Sequence, residues 1–482
     1  MKRRQFIKTA AGASAGLMLG PIGRIVGQEK RKRPNILFIM TDQQNAGMMS
    51  CAGNKWLKTP ALDRLAASGV RFERAYCSNP VCVPSRFSLQ TGLMPSAIAM
   101  GQNSDSAQAA VTELMIRHSL GPLLRQAGYE TLYGGKVHLP RRMNNLQMLG
   151  YRNLTRDSRG LLAEQCAEFI KGPHTKPFFL FASFINPHDI CYMAINDFRR
   201  ANGENPVANT DSKTCEAVLD RAIKSGDVPA FVEQHCPPLP ANHEVPPAEP
   251  QCITEKYTDV RPFRAYVREK WTEDQWRLHR WAYCRLTEMV DEKVGILLDA
   301  VHEAGLEDDT LIVFTSDHGD MDAAHKMEHK SALYEEAVRI PFIMSFKGVI
   351  PAGVVDDMHL VSNGLDLLPT LCDYAGIERP EGLHGMSLRS PASGQSGGRW
   401  RDSIAVESQN GRMVRTDRFK YCIYDSGKDR EQLTDLKDDP GEMKNLAAVP
   451  AFKDVLHEHR RILKDWTART GDAIGARYID AT

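Results

Sequence analysis

Asn35-Ile36-Leu37-Phe38-Ile39-Met40-Thr41-Asp42-Gln43 is a short apolar run that stops abruptly in three polar residues. Five consecutive apolar side chains, without the alternation of a half-exposed strand, suit a strand buried on both faces. Three more runs follow the same plan. Residues 130–133 precede Gly134-Gly135-Lys136-Val137-His138, residues 178–184 precede Asn186-Pro187-His188, and residues 310–314 precede Thr315-Ser316-Asp317-His318-Gly319. Helical patterns lie between them: Leu62 and Leu65 share a face within 59–68, and Leu286, Met289, Val290, Val294 and Leu297 recur at helical spacing within 281–304. Strands alternating with helices predict an α/β fold, a large mostly parallel sheet sandwiched by helices. In such sheets functional groups gather beyond the carboxyl ends of the strands. One polar cluster after a strand is an ordinary turn, but four of them carrying Asp, Lys and His are expected to converge on one rim.

Outward from these strands the pattern changes twice. Residues 189–262, with Cys236-Pro237-Pro238-Leu239-Pro240 and Val245-Pro246-Pro247, show no sustained period and read as a long irregular insertion, a candidate wall for a substrate cleft. From 399 onward four close-set strand candidates appear, at 403–407, 411–416, 419–424 and 432–436. Their turn-like separators predict a smaller C-terminal antiparallel four-stranded sheet, closed by a helix over 451–467. The Ser- and Gly-rich stretch 391–398 is the natural boundary, which divides the chain into 34–395 and a subdomain at 396–482.

The N-terminus carries Arg3-Arg4-Gln5-Phe6-Ile7-Lys8 and then an Ala/Gly-rich stretch too short to span a bilayer. It resembles the signal of the pathway that exports already folded proteins. Residues 1–33 are therefore expected to be a targeting segment read by the twin-arginine export machinery, placing the protein in the periplasm or outside the cell. No later stretch is apolar enough for an integral membrane span. A net charge of +1 gives no global field toward nucleic acid, so any anion selectivity must be local. Eleven cysteines without a Cys-x-x-Cys pair argue against a zinc ribbon, a dithiol redox site or a disulfide scaffold.

The most specific stretch is Cys82-Val83-Pro84-Ser85-Arg86, followed by Thr91-Gly92. It resembles the signature of the sulfatase family, in which a maturation enzyme oxidises the cysteine to formylglycine, an aldehyde that hydrates to a geminal diol. The resemblance implies this fate for Cys82. One hydroxyl of a diol attacks sulfur and the alcohol departs. The other, once deprotonated, collapses to the aldehyde and expels sulfate by carbon–oxygen cleavage, which a serine could not do.

A hydroxyl near neutral pH needs a cation to lower its pKa. The resemblance implies Asp42, Gln43, Asp317 and His318, with residue 82, as ligands of one divalent ion, calcium first and magnesium second. Gln43 departs from the commoner Asp-Asp pair and brings one less negative charge. Arg86 is expected to orient the diol and support the carboxylates. Lys136 and His138 match the family's Gly-Lys-x-His element, Val137 replacing the usual Trp. His188 is expected to protonate the leaving oxygen or grip sulfate, and Lys330 to bind the bridging oxygen or sulfate. His325 and His329 read as polar loop residues. The implied activity is hydrolysis of sulfuric esters, with a sulfated small molecule or glycan as substrate and a carbohydrate favoured. Two other readings compete: a phosphonate or phosphodiester hydrolase using the same converted cysteine, and a silent sulfated-glycan-binding protein that keeps the thiol.

Overall fold

The structure is a computed structural model that describes residues 33–395 and 398–480. The expected targeting segment lies outside these residues apart from Arg33. In chain order the strands are β1 (Asn35–Asp42), β2 (Val70–Phe72), β3 (Ala75–Tyr76), β4 (Glu130–Gly135), β5 (Arg152–Thr155), β6 (Phe178–Pro187) and β7 (Thr310–Ser316). They continue with β8 (Phe342–Ser345), β9 (Val354–Asp356), β10 (Val361–Ser362), β11 (Ile404–Glu407), β12 (Gly411–Arg415), β13 (Phe419–Tyr424) and β14 (Glu431–Asp435).

The large sheet runs β5-β4-β6-β1-β7-β8-β2-β9. The first five of these are mutually parallel, whereas β8 is antiparallel to both β7 and β2. β1 is central, with Leu37 paired to Leu180 of β6 on one side and Ile312 of β7 on the other. Its alternate side chains enter different cores, as the unbroken apolar run requires. Ile36, Phe38 and Met40 face the helices Cys82–Thr91 and Asn363–Ala375, through Phe87, Leu367, Leu368 and Leu371. Leu37 and Ile39 face Pro60–Ala67, Gly160–Lys171 and the long helix Glu273–Glu303, through Leu62, Leu162 and Val294. Phe38 meets Phe181 edge-on at 4.5 Å, a contact worth about 0.5–1.5 kcal/mol beyond the area it buries.

The segment 189–262 is not irregular. It holds the helices Cys191–Ala201, Thr210–Ile223 and Val228–His235, and runs without regular structure only over 202–209 and through the Pro-rich part 236–250, apart from a short turn before Val228. Their apolar faces are narrow and diluted by Asn, Asp and Lys, which hides the period. The capping residues carry the signal instead: Asn209 accepts from the Ser212 amide at 2.8 Å and Asp227 from the Ala230 amide at 3.0 Å. Val218 and Val232 then pack with Trp276, Trp281 and Tyr283 of the long helix.

The C-terminal sheet is β11-β12-β13-β14, antiparallel throughout, with Leu456 and Leu463 of the helix Lys453–Thr470 buried against it. It is anchored toward the large sheet by Lys420 of β13, whose buried ammonium lies 2.6 Å from Glu442 and 3.3 Å from Glu335. Among the described residues no helix is long and apolar enough to cross a membrane, and all eleven cysteines are unbridged.

Candidate active site

The carboxyl ends of β1, β4, β6 and β7 deliver Asp42, Lys136, His188 and Asp317-His318 to one rim of the sheet. Cys82 opens the helix that faces them and is 1% exposed. The helix begins without a side-chain cap from Val81, and Asn103 accepts the Val83 amide at 2.9 Å, supplying one of the partners that a helix N-terminus lacks. Gly92, at φ 70°, ends it in a left-handed turn.

Arg86, one turn beyond Cys82, organises the floor. Its Nη2 lies 2.7 Å from Asp42 Oδ2 and its Nε 2.8 Å from Asp317 Oδ2. The remaining Nη1 donates to the Lys136 carbonyl at 3.0 Å and the Ser183 hydroxyl at 2.9 Å. A buried guanidinium satisfied this fully fixes both carboxylates. The Gln43 amide donates to the other Asp317 oxygen at 3.1 Å. Lys136 Nζ lies 2.6 Å from Asp42 Oδ2. Around the thiol stand His318 Nε2 at 3.2 Å, Lys330 Nζ at 3.6 Å, Asp42 Oδ1 at 3.8 Å and Lys136 Nζ at 3.9 Å.

These neighbours set the charges. Burial alone would raise the Asp42 carboxyl, but Lys136 and Arg86 overcome it and hold it well below the usual carboxylate range. Burial and the Asp42 charge push Asp317 up. Burial and Asp42 also oppose ionisation of Cys82, yet Lys136, Lys330 and His318 outweigh them and bring the thiol well below its ordinary value. His188 is pulled down by burial and by the Lys330 and Lys136 ammoniums, so its imidazole stays neutral here.

The donor set suits a divalent cation. One ligand atom from each of Asp42, Asp317, His318 and Cys82 lies within 4.8 Å of the others, and all four residues are buried. His318 Nδ1 donates to the Gly319 carbonyl at 2.9 Å, which turns Nε2 toward the cluster, the orientation metal-binding histidines adopt. Gln43, in left-handed backbone at φ 66°, points its amide oxygen at the Lys330 ammonium and its amide nitrogen at Asp320, 2.6 Å away.

Of the residues expected from sequence, Asp42, Gln43, Cys82, Arg86, Lys136, Asp317, His318 and Lys330 meet directly, and His188 stands within electrostatic reach of them. His138 does not join: it is exposed at φ 44°, while Val137 before it is buried. His325 stacks on Tyr334 at 3.9 Å and His329 bonds Glu328 at 3.0 Å, both in the interior. Ser183, Asn103, Asp320 and Tyr283, which donates to the Gln43 carbonyl at 2.6 Å, were missed by the sequence reading. Only Asp320, three residues past Asp317, had a local signal.

The sulfatase family profile matches residues 34–377, and that of the N-sulphoglucosamine sulphohydrolase C-terminal region matches 323–469. A Delta 4,5-hexuronate-2-O-sulfatase of Bacteroides thetaiotaomicron is 30% identical over 477 residues, covering 94% of this chain and 92% of that protein. A solved 2-O GAG sulfatase superposes with TM-score 0.75 at 29% identity, covering 92% and 93% of the two chains. A phosphonate monoester hydrolase of Agrobacterium radiobacter shares the fold, with TM-score 0.68 at 23% identity over 91% and 96%. Matched by the family profile from Asp42 through Lys330, and 30% identical to a named sulfatase over nearly its whole length, the chain belongs to the sulfatase family and is a sulfuric ester hydrolase.

Proposed function

We propose that the protein removes sulfate from a sulfated carbohydrate outside the cytoplasm, using a formylglycine hydrate made from Cys82 by a maturation enzyme. The observation that carries this reading is the setting of residue 82: a buried helix start with two ammoniums within 3.9 Å and two carboxylates locked by one arginine behind it. The sugar is supported by the name of the hexuronate-2-O-sulfatase relative, and export by the twin-arginine segment.

Asp42, Asp317, His318 and, once turned from Lys330, the Gln43 amide oxygen would hold one divalent ion, calcium before magnesium because a site built largely from protein donors suits calcium's flexible coordination better than an ion that keeps most of its waters. When bound, that ion supplies charge that neutralises sulfate oxygens and favours the ionised nucleophile. The chain's own groups do the rest. Arg86 keeps both carboxylates fixed, so little reorganisation is needed as charge develops. Lys136 and Lys330 flank residue 82 and grip the sulfate. His188 is neutral beside two ammoniums; a bound sulfate ester, being anionic, works against both and favours its protonated form, from which it delivers a proton to the departing sugar oxygen.

The test pairs mass spectrometry of the peptide containing residue 82 with release of sulfate from defined sulfated sugars. Formylglycine and sugar desulfation are expected together from material made in a host with the maturation enzyme. Faster turnover of aryl phosphonate monoesters than of any sulfate ester would overturn the assignment, and an intact thiol in protein from its native host would favour a binding protein.

A further inference from the structure

Among the described residues Arg264 is in no direct ion pair, although the buried Glu328 carboxylate acts on it at longer range. Arg264 occupies the first turn of the helix Pro262–Lys270, the end at which the helix dipole disfavours positive charge. Its Nη1 donates to the Tyr257 carbonyl at 2.8 Å, its Nε is buried with no partner, and among the described residues no carboxylate forms an ion pair with it. Arg268, one turn later, is the contrast: its Nη2 contacts both oxygens of Glu249, at 2.8 and 2.9 Å. An unmet buried donor costs about 1–3 kcal/mol. Folding alone gives no reason to keep Arg264 here.

Its surroundings supply one. Arg264 lines a cavity of about 480 Å³ whose wall includes Lys330 and Val81, the latter next to residue 82. Lys256 and Arg261 line the same cavity, and Glu255 is the one acidic residue among its walls. Lys256 is already neutralised by Asp425 at 2.6 Å. The protein is close to neutral overall, so this is a local positive field, and it lies beside residue 82 through Val81 and Lys330. The volume suits one sugar ring, being within the usual range of small-molecule sites. Lys136 and Lys330 meet the charge of the sulfate, and Arg264 is left for a second anion on the same ring. A planar guanidinium with free N–H groups matches a carboxylate better than a neutral hydroxyl.

We propose that Arg264 binds the carboxylate of a sulfated uronic acid seated in this cavity and is the specificity-determining residue of the reaction. The inference rests on the sulfated-carbohydrate reading and names its substrate class.

The test measures kcat and KM of the matured enzyme on a 2-O-sulfated unsaturated uronate disaccharide and on its carboxyl methyl ester, for wild type, Arg264→Gln and Arg264→Lys. A hydrogen-bonded charge pair is worth about 10- to 100-fold, so wild type should prefer the acid by about that factor in kcat/KM. Arg264→Gln should bring the two substrates together, with the change carried by KM, and Arg264→Lys should restore part of the preference. Equal losses on both substrates in Arg264→Gln, or no preference in wild type, would overturn the role of Arg264 and leave sulfate hydrolysis standing. Failure of wild type to desulfate either compound while it desulfates other sugars would overturn the uronate substrate and the role of Arg264, and failure on every sulfated sugar would overturn the carbohydrate reading itself.

Discussion

Arg86 and Asp317 form a fully buried ion pair, Nε to Oδ2 at 2.8 Å, between positions 231 residues apart. The same guanidinium holds Asp42 at 2.7 Å, so one side chain ties the ends of β1 and β7 to the helix that starts at Cys82. Arg86→Ala leaves two buried carboxylates facing each other, and breaking a buried pair costs about 3–5 kcal/mol. Urea unfolding should register that loss, along with loss of sulfate release. Arg86→Lys should recover part of the stability and little of the activity, because one ammonium cannot span both carboxylates in the geometry of the fork. Unchanged stability in Arg86→Ala would mean that the carboxylates find other partners.

Cys82→Ala should lower kcat by at least ~10⁴-fold, as loss of a covalent nucleophile does elsewhere. Its thermal midpoint should change little, because the side chain is small and its neighbours are held by Arg86. Sulfate release from a defined sulfated substrate checks the rate, and calorimetry the fold. Full turnover in the alanine variant would end the formylglycine reading.

Removal and return of metal provides a test independent of turnover. Calcium or magnesium added to chelator-treated protein should raise the unfolding temperature, by an amount equivalent to about 2.7 kcal/mol at one hundred times the dissociation constant. Asp317→Asn should flatten that response, since it removes a charge from the cluster that joins the ends of β1 and β7. A wild-type melting curve indifferent to both ions would place the binding residues elsewhere.

The site was legible in proportion to how local its signals are. Buried strands announce themselves as apolar runs, and β1, β4, β6 and β7 were found with the polar residues that follow them. Each runs two or three residues further than the apolar pattern, because Thr41, Asp42 and Asn186 stay in extended backbone while carrying buried polar groups. β2 is three residues with Arg71 at its centre, too short for any period to show. Ser183 sits within an apolar strand, and its role depends on a contact to Arg86 across 97 residues. His138 shows the converse: adjacency to Lys136 in sequence carries no information about direction, and the chain turns its side chain outward.

Asp291 titrates in a readable window. It lies on the long helix and accepts the Ala61 and Leu62 amides at 3.0 and 2.9 Å, closing the start of the helix Pro60–Ala67. Burial, only partly offset by those two amides, pushes its carboxyl from 3.8 to about 6. A native carboxyl that holds its proton more tightly than the unfolded chain favours folding at low pH and loses that contribution as pH climbs from 4 to 6. The full effect is about 3 kcal/mol at 1.36 kcal/mol per unit. Asp291→Asn cannot titrate, so the stability difference between wild type and variant should shift toward the variant over that interval and be constant above it. Urea unfolding at several pH values measures this, and a pH-independent difference would mean the carboxyl is not perturbed.

Gly135 sets the position of Lys136 through backbone geometry alone. It stands at φ 90°, a conformation that side chains resist, and a Cβ added there would come within 2.1 Å of the Ser183 carbonyl and 2.9 Å of Leu162. That carbonyl also accepts the Lys136 amide at 2.9 Å, so β4 is still held against β6 where Lys136 leaves the sheet. Gly135→Ala must push the strands apart or rotate the peptide, and either movement shifts Lys136 Nζ from Asp42 and frees the Lys136 carbonyl and Ser183 hydroxyl from Arg86. Strain of this kind costs about 1–3 kcal/mol before any clash is counted. Both stability and kcat should therefore fall, whereas Gly203→Ala, also at positive φ but with nothing within 4 Å of the added atom, should cost only the backbone strain and leave kcat alone. Parallel unfolding and kinetic measurements on the two variants separate the contributions. Equal kcat in both would show that the close approach of the strands does not position the lysine.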